Sequence, residues 1–308
     1  MSIPPLKIGT RGSPLALAQT KEARALLAQA HGVPPEHFEI VVIRTSGDII
    51  QDRVLSEAGG KGLFTRELDL ALIAGEIDFA VHSSKDLPTE LPSEIVIAGY
   101  LPREDARDAF IGRGGAKLSE LPAGAVIGTA SLRRAAQVKR FRADFKTVLL
   151  RGNVETRLAK VESGAVDGTL LALAGLRRLG LAARATEILP LEAFLPAAGQ
   201  GAVGVTCRGG DRTVFAALAP ILDAATFAAL SAERAFLTAL DGSCRTPIAG
   251  LAVLEGDALS FRGEALQADG GSTYAASGAG PAAKAASIGA EAAREILKAL
   301  PGGVASLS

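Results

Sequence analysis

Short apolar runs alternate with helical patterns through the first two thirds of this 308-residue chain, and no other feature limits its fold so strongly. The run "LKIGT" reads as a strand. A helix then opens at Ser13-Pro14, a serine N-cap followed by proline at the first helical position, and should end before Gly32. "FEIVVIRT" is the next strand, "FTRELDLALIAG" a helix stopped by Gly75, and "IDFAVHS" and "SEIVIAGYL" two further strands. After "REDARDAFIGR" the pattern restarts with strand "AVIGTA", helix "SLRRAAQVKRF", strand "KTVLLRG", helix "NVETRLAKVE" and strand "GTLLALA". Strands alternating with helices predict largely parallel sheets covered on both faces.

The tail has another rhythm. An Ala/Leu-rich helix is expected from about Asp223 to Leu240, then a hairpin turning at Glu255-Gly256-Asp257 and a third strand at "STYAASG". A final helix carries Ile288, Ala292, Ile296 and Leu300 along one face. This is a small α+β unit. The stretches "RGGAKLSELPAG" and "LPAAGQGA" are the linker candidates, and no internal repeat stands out. A chain this long predicts two or three domains.

Composition narrows the partners. Basic and acidic residues balance at 33 each, so the whole molecule has no electrostatic case for nucleic acid or an anionic membrane. The two cysteines, Cys207 and Cys244, form no Cys-x-x-Cys, and His31, His37 and His82 are scattered, so neither a metal site nor a disulfide framework is expected. The N-terminus lacks an apolar signal core and no run reaches membrane-spanning length, so a cytoplasmic protein is expected.

Several motifs carry chemistry. Gly199 to Gly204 matches G-x-G-x-x-G, but the glycines precede a strand instead of opening a helix, which favours a tight turn over a dinucleotide site. "EAGGKGLF" is a glycine loop with one cation, Lys61, and no Ser or Thr after it to complete a phosphate loop. Between Thr129 and Arg157 eight basic residues stand against two acidic ones. Such a run can be a solvated helix face. However, Arg133 and Arg134 sit in the first turn of a helix, against its dipole, and Arg151 and Arg157 flank the next strand end and helix start. That placement suits an external anion, and the arginine fork suits carboxylates or phosphates. Only Phe141 and Phe145 are nearby to stack bases, which disfavours nucleic acid. "VHSSKDLP" turns polar at a strand end, where ligands sit in open α/β sheets; there Asp86 beside Lys85 is either a surface ion pair or a carboxylate facing a cation. Cys244, in the turn "LDGSCRTPIAG", is either small buried filler or a reactive thiol.

Taken in order, "TRGSPLALAQ", "GGKGLFTRELD", "VHSSKDLP", "REDARDAF", "GTASLRR", "LRGNVETRL", "AGLRRLGL", "LPAAGQGAVGV", "AERAFL" and "LDGSCRTPI" resemble the porphobilinogen deaminase (hydroxymethylbilane synthase) family from Thr10 to about Gly250. The resemblance implies two doubly wound α/β domains of periplasmic-binding-protein type plus a small C-terminal α+β domain. Their implied bounds are 1–101 with 198–216, 102–197, and 217–308. It implies a cytoplasmic, monomeric transferase that joins four porphobilinogens head to tail, releasing ammonia and then the linear tetrapyrrole. It also implies a covalent dipyrromethane cofactor on Cys244, with no metal, nucleic acid or membrane partner. By the same resemblance Asp86 is catalytic, stabilising the cationic azafulvene left when ammonia departs. Ser83, Lys85, Thr129, Ser131, Arg133, Arg134 and Arg157 hold the cofactor carboxylates. Arg11, Ser13 and Arg151 engage the substrate, Gln200 lines the cleft as a further cofactor-binding residue, and Lys61 belongs to a mobile loop. Two departures stand out: Ser243 where the family commonly has glycine, and Ala130 where serine is usual, leaving Thr129 and Ser131 as the hydroxyl donors. A non-catalytic anion-binding protein would need the arginines but neither Asp86 nor Cys244. An oxidoreductase using the glycine turn would reveal itself by nucleotide binding.

Overall fold

The computed structural model describes residues 3–46, 62, 64–240, 246–300 and 302–307. Lys61 and Cys244 lie outside the described residues.

In chain order, the first stretch forms β1 (Leu6–Thr10), α1 (Pro14–His31), β2 (Phe38–Val42), α2 (Arg66–Ile73), β3 (Phe79–Ser83) and β4 (Ile95–Tyr100). The second forms β5 (Asp108–Gly112), β6 (Val126–Gly128), α3 (Leu132–Phe141), β7 (Lys146–Val148), α4 (Val154–Glu162), β8 (Gly168–Ala172), α5 (Leu173–Arg178) and β9 (Glu187–Ile188). Then follow β10 (Val203–Arg208), α6 (Arg212–Leu218), α7 (Ala224–Ala239), β11 (Ile248–Glu255), β12 (Ala258–Leu266), β13 (Thr273–Pro281) and α8 (Ala285–Ala299). Among the described residues, one compact unit gathers those up to Glu104 with Ala202–Phe227, and a second gathers Asp105–Gly201 with those from Ala228 on.

The caps read in the sequence are made. The Ser13 hydroxyl accepts from the Ala16 N–H, and Gly32 ends α1 at φ +64°, a left-handed position that favours glycine. Ser131 and Asn153 cap α3 and α4 in the same way. In the first unit the strand order is β2-β1-β3-β10-β4. Beneath it Ile8, Leu27, Phe38, Phe79, Val81, Val203 and Val205 are buried in one core. Cys207 belongs to that core, and burial pushes its thiol up to about 11, so it is an inert small hydrophobe.

The parallel sheets expected from the alternation are in fact mixed. β1 runs parallel to β2 and β3, but β10 is antiparallel to both β3 and β4. The second unit builds the order β7-β6-β8-β5-β9 by the same rule: β6 is parallel to β7 and β8, and β5 is antiparallel to β8 and β9. The two sheets therefore share one topology. The chain retains a trace of it in Ile8-Gly9-Thr10, which ends β1, and Ile127-Gly128-Thr129, which runs one residue past the equivalent β6, each before a serine-capped helix. The linker candidate "RGGAKLSELPAG" also needs correction. It forms two short 3-10 turns, and Leu118 and Leu121 are buried in the core of the second sheet.

The last three strands form an antiparallel sheet in the order β11-β12-β13. Its hairpin turns at Gly256-Asp257, as expected, with Glu255 paired to Ala258. Ile288, Ala292, Ile296 and Leu300 of the final helix are all buried. Phe236 of α7 and Phe261 of β12 pack with ring centroids 4.9 Å apart. Gly289 of α8 allows close approach there, because a methyl at its position would run into the Ala232 carbonyl of α7.

Candidate functional site

In the first unit the site gathers at the C-terminal ends of β1 and β3. Arg11 and Ser13 follow β1, while Ser83 ends β3 and a 3-10 turn over Ser84–Asp86 carries Lys85 and Asp86 outward. Arg11, Ser13, Ser83 and Asp86 line one pocket. Arg11 Nη1 stands 3.8 Å from Asp86 Oδ2, and the Arg11 guanidinium lies 4.2 Å over the Phe64 ring. The Ser83 hydroxyl is held by the Gln19 amide, at 2.9 Å from Nε2 and 3.1 Å from Oε1. His82 is buried beside this group with Nε2 2.9 Å from Thr206 Oγ1. Burial, reinforced by the Arg11 charge, pulls its pKa down to about 3, so it is neutral at physiological pH.

In the second unit, Thr129 follows β6 and its hydroxyl accepts from the Ser131 N–H at 3.1 Å. Arg133 and Arg134, in the first turn of α3, are 4% and 5% exposed. The anion they face within the chain is Asp108 of β5, with salt bridges of 2.7 Å to each arginine. Burial alone would raise the Asp108 carboxyl, but the two guanidiniums outweigh it and hold it far below the usual range. Gln200 joins this cluster, donating from Nε2 to Asp108 Oδ1 at 2.8 Å and to the Ala106 carbonyl at 2.8 Å. Gly199 and Gly201 on either side adopt φ of +76° and +88°, so the glycine motif is the tight turn expected before a strand. Arg151 and Arg157 are half-buried after β7 and in the first turns of α4, with Arg157 Nε donating to the Gly152 carbonyl at 2.9 Å.

The sequence reading missed Asp108, Gln19, Phe64 and His82 as companions of the named residues. It also missed a second layer behind Arg133. Gln137 accepts from Arg133 Nη1 at 2.9 Å and donates to Glu264 of β12 at 2.7 Å; Arg140 also binds Glu264, at 2.8 Å. The four-residue spacing of Arg133 and Gln137 on one helix face was the available signal. Arg133 Nε is buried with no hydrogen-bond partner. An orphaned donor beside arginines and hydroxyls fits a carboxylate-bearing ligand.

In each unit a doubly wound sheet carries arginine and serine side chains at its strand ends, where ligands sit in open α/β sheets, and this defines a mixed α/β protein of the two-sheet class. Comparison with known proteins makes this specific. Residues 6–216 match the family model described as porphobilinogen deaminase, dipyromethane cofactor binding domain, and residues 227–298 match that of the porphobilinogen deaminase C-terminal domain. The chain belongs to the porphobilinogen deaminase family. It is 59% identical over 256 residues to a porphobilinogen deaminase of Nitrobacter hamburgensis, covering 83% of this chain and 81% of that one. Solved structures with lower similarity include the BvgS VFT2 domain of Bordetella pertussis, at 15% identity and TM-score 0.41 over 74% of this chain and 91% of that one. A periplasmic binding protein of Brucella ovis matches at 18% identity and TM-score 0.39 over 77% and 68%. The family polymerises porphobilinogen as a transferase of tetrapyrrole synthesis and uses a dipyrromethane cofactor.

Proposed function

We propose that this chain is a cytoplasmic, monomeric hydroxymethylbilane synthase without nucleic-acid or membrane partners, carrying its dipyrromethane through a thioether at Cys244. Asp86, partly exposed at a strand end and 3.8 Å from Arg11, is the observation that carries the catalytic part of the reading. Among the described helices none alone is long and apolar enough to cross a membrane. The domain division 1–101 with 198–216, 102–197 and 217–308 belongs to the same reading. Its support is the return of β10 to the first sheet and the family-model bounds at 216 and 227.

Each addition expels ammonia from the incoming ring, forms one carbon–carbon bond to its methylene carbon and removes the α-proton of the attacking ring. When bound, the dipyrromethane supplies a terminal pyrrole carbon as the nucleophile. The chain's own residues bind, orient and move protons. Arg11, Ser13 and Arg151 hold the carboxylates of the incoming porphobilinogen, and Lys61 is assigned to the loop above it. Asp86 stabilises the positive charge left by ammonia and accepts the pyrrole protons. Ser83, Lys85, Thr129, Ser131, Arg133, Arg134 and Arg157 hold the cofactor carboxylates, and Gln200 sets the turn beside them. The donor set and the orphaned Arg133 Nε support this assignment.

The test is the intact mass of the purified protein beside a Cys244→Ala variant, before and after porphobilinogen is added. An adduct of two pyrrole units on the wild type and none on the variant is the expected result. A wild type unmodified under both conditions overturns the reading.

A further inference from the structure

Asp108 opens β5 with its side chain fully buried, and three of the residues assigned to the cofactor converge on it. Arg133 Nη1 donates to Oδ2 at 2.7 Å; Arg134 donates to Oδ1 from Nη2 at 2.7 Å and from Nε at 3.2 Å. Gln200 shares Oδ1 at 2.8 Å. These are lengths of charge-assisted hydrogen bonds, so one ionised carboxylate fixes two guanidiniums and an amide. Adjacent guanidiniums in a water-poor site repel one another, and the shared counter-charge lets both remain charged and close. One positive charge is left over. The second guanidinium face is not used up, because Arg133 Nε is buried with no partner while its Nη1 is already bound to Asp108, Gln137 and the Leu195 carbonyl.

We infer that Asp108 is a positioning residue. It holds Arg133, Arg134 and Gln200 in one register, so that the remaining guanidinium donors and the single net charge meet the carboxylates of the bound pyrrole chain. The inference rests on the proposed cofactor site and adds to it a residue that touches neither cofactor nor substrate.

Intact mass tests it on the full-length protein, as purified and after timed incubation with porphobilinogen, alongside the KM of the modified fraction. Asp108→Asn keeps the shape and removes the charge. Val138→Ala, fully buried on the helix that carries Arg133 and Arg134, is the control for lost stability alone. Adduct formation about tenfold slower in Asp108→Asn, with a raised KM, is expected, because misplaced binding groups cost at least that much. The Val138→Ala protein should load normally. Loading of Asp108→Asn at the rate of the control overturns the inference. If Asp108→Asn does not fold, Asp108→Glu replaces it, keeping the charge but displacing both oxygens by a methylene. Slow loading of that variant supports the positioning role, and wild-type loading overturns it. A wild type that never acquires the adduct marks failure of the cofactor reading itself, and the inference falls with it.

Discussion

Arg11 reaches toward Asp86 across 3.8 Å, with their side chains 19% and 35% exposed. That is too long and too wet for a strong ion pair. Such pairs contribute about 0–1 kcal/mol to stability. Asp86→Asn should therefore melt close to the wild type while turnover falls by about 100- to 10,000-fold, the usual worth of a proton-transferring group. Product formation and a thermal melt on the same preparation check this. Near-normal turnover would remove Asp86 from the mechanism.

Arg133→Leu should behave differently. It leaves the buried Asp108 with Arg134 as its remaining salt-bridge partner, and breaking a buried ion pair costs about 3–5 kcal/mol. Lower stability and poor acquisition of the cofactor adduct are both expected, measured by denaturant melting and intact mass. A stable, fully modified protein would reject the carboxylate-clamp role.

His82 makes the first unit sensitive to acid. Its folded pKa of about 3 lies below the ordinary value of 6.5, because burial and then the Arg11 charge disfavour the imidazolium. Between those values the unfolded chain binds a proton that the folded chain refuses. Stability is therefore lost as pH falls from 6.5 toward 3. Denaturant melts from pH 7 to pH 4 should slope less steeply for His82→Gln than for the wild type, and identical slopes would contradict the assignment.

Asp69 has the opposite sign. It lies on α2, 6% exposed, with Oδ1 buried and unpartnered, and burial pushes its carboxyl up to about 6 with the Glu67 charge adding to the effect. The folded chain holds a proton that the unfolded chain has released, so this contribution is present below pH 3.8 and lost as pH rises through 6. Asp69→Asn should raise stability at pH 7.5 by about 1–3 kcal/mol and change little at pH 3.5. No gain at pH 7.5 would show that the buried carboxyl is better solvated than its surroundings imply.

Local patterns carried much of the architecture. Ser13-Pro14 and Gly32 set α1 because capping is decided within a few residues. Ile288, Ala292, Ile296 and Leu300 showed the buried face of α8 because helical spacing is local too. β5 was missed: "DAFIG" is five residues long and begins with a charged group whose partners, Arg133 and Arg134, lie far along the chain. For the same reason the two arginines pointed to an external anion when one counter-ion was already internal. Antiparallel β10 and β5 had no sequence signal either, since a strand's own pattern does not name its neighbours. The shared topology shows in the chain only as Ile-Gly-Thr before each capped helix, too short to stand out as a repeat.

The placement of β10 also bears on how the chain matures. The second sheet draws all five strands from Asp108–Ile188, a continuous stretch, whereas the first sheet must wait for Val203–Arg208 to fill the gap between β3 and β4. During synthesis from the N-terminus, the later half can close its sheet while the earlier half still has two open edges. Non-local strand pairing is slow, and unpaired edges invite aggregation. A chain cut just before residue 203 would thus hold every strand of the second sheet and lack one of the first, the reverse of the order in which they were made.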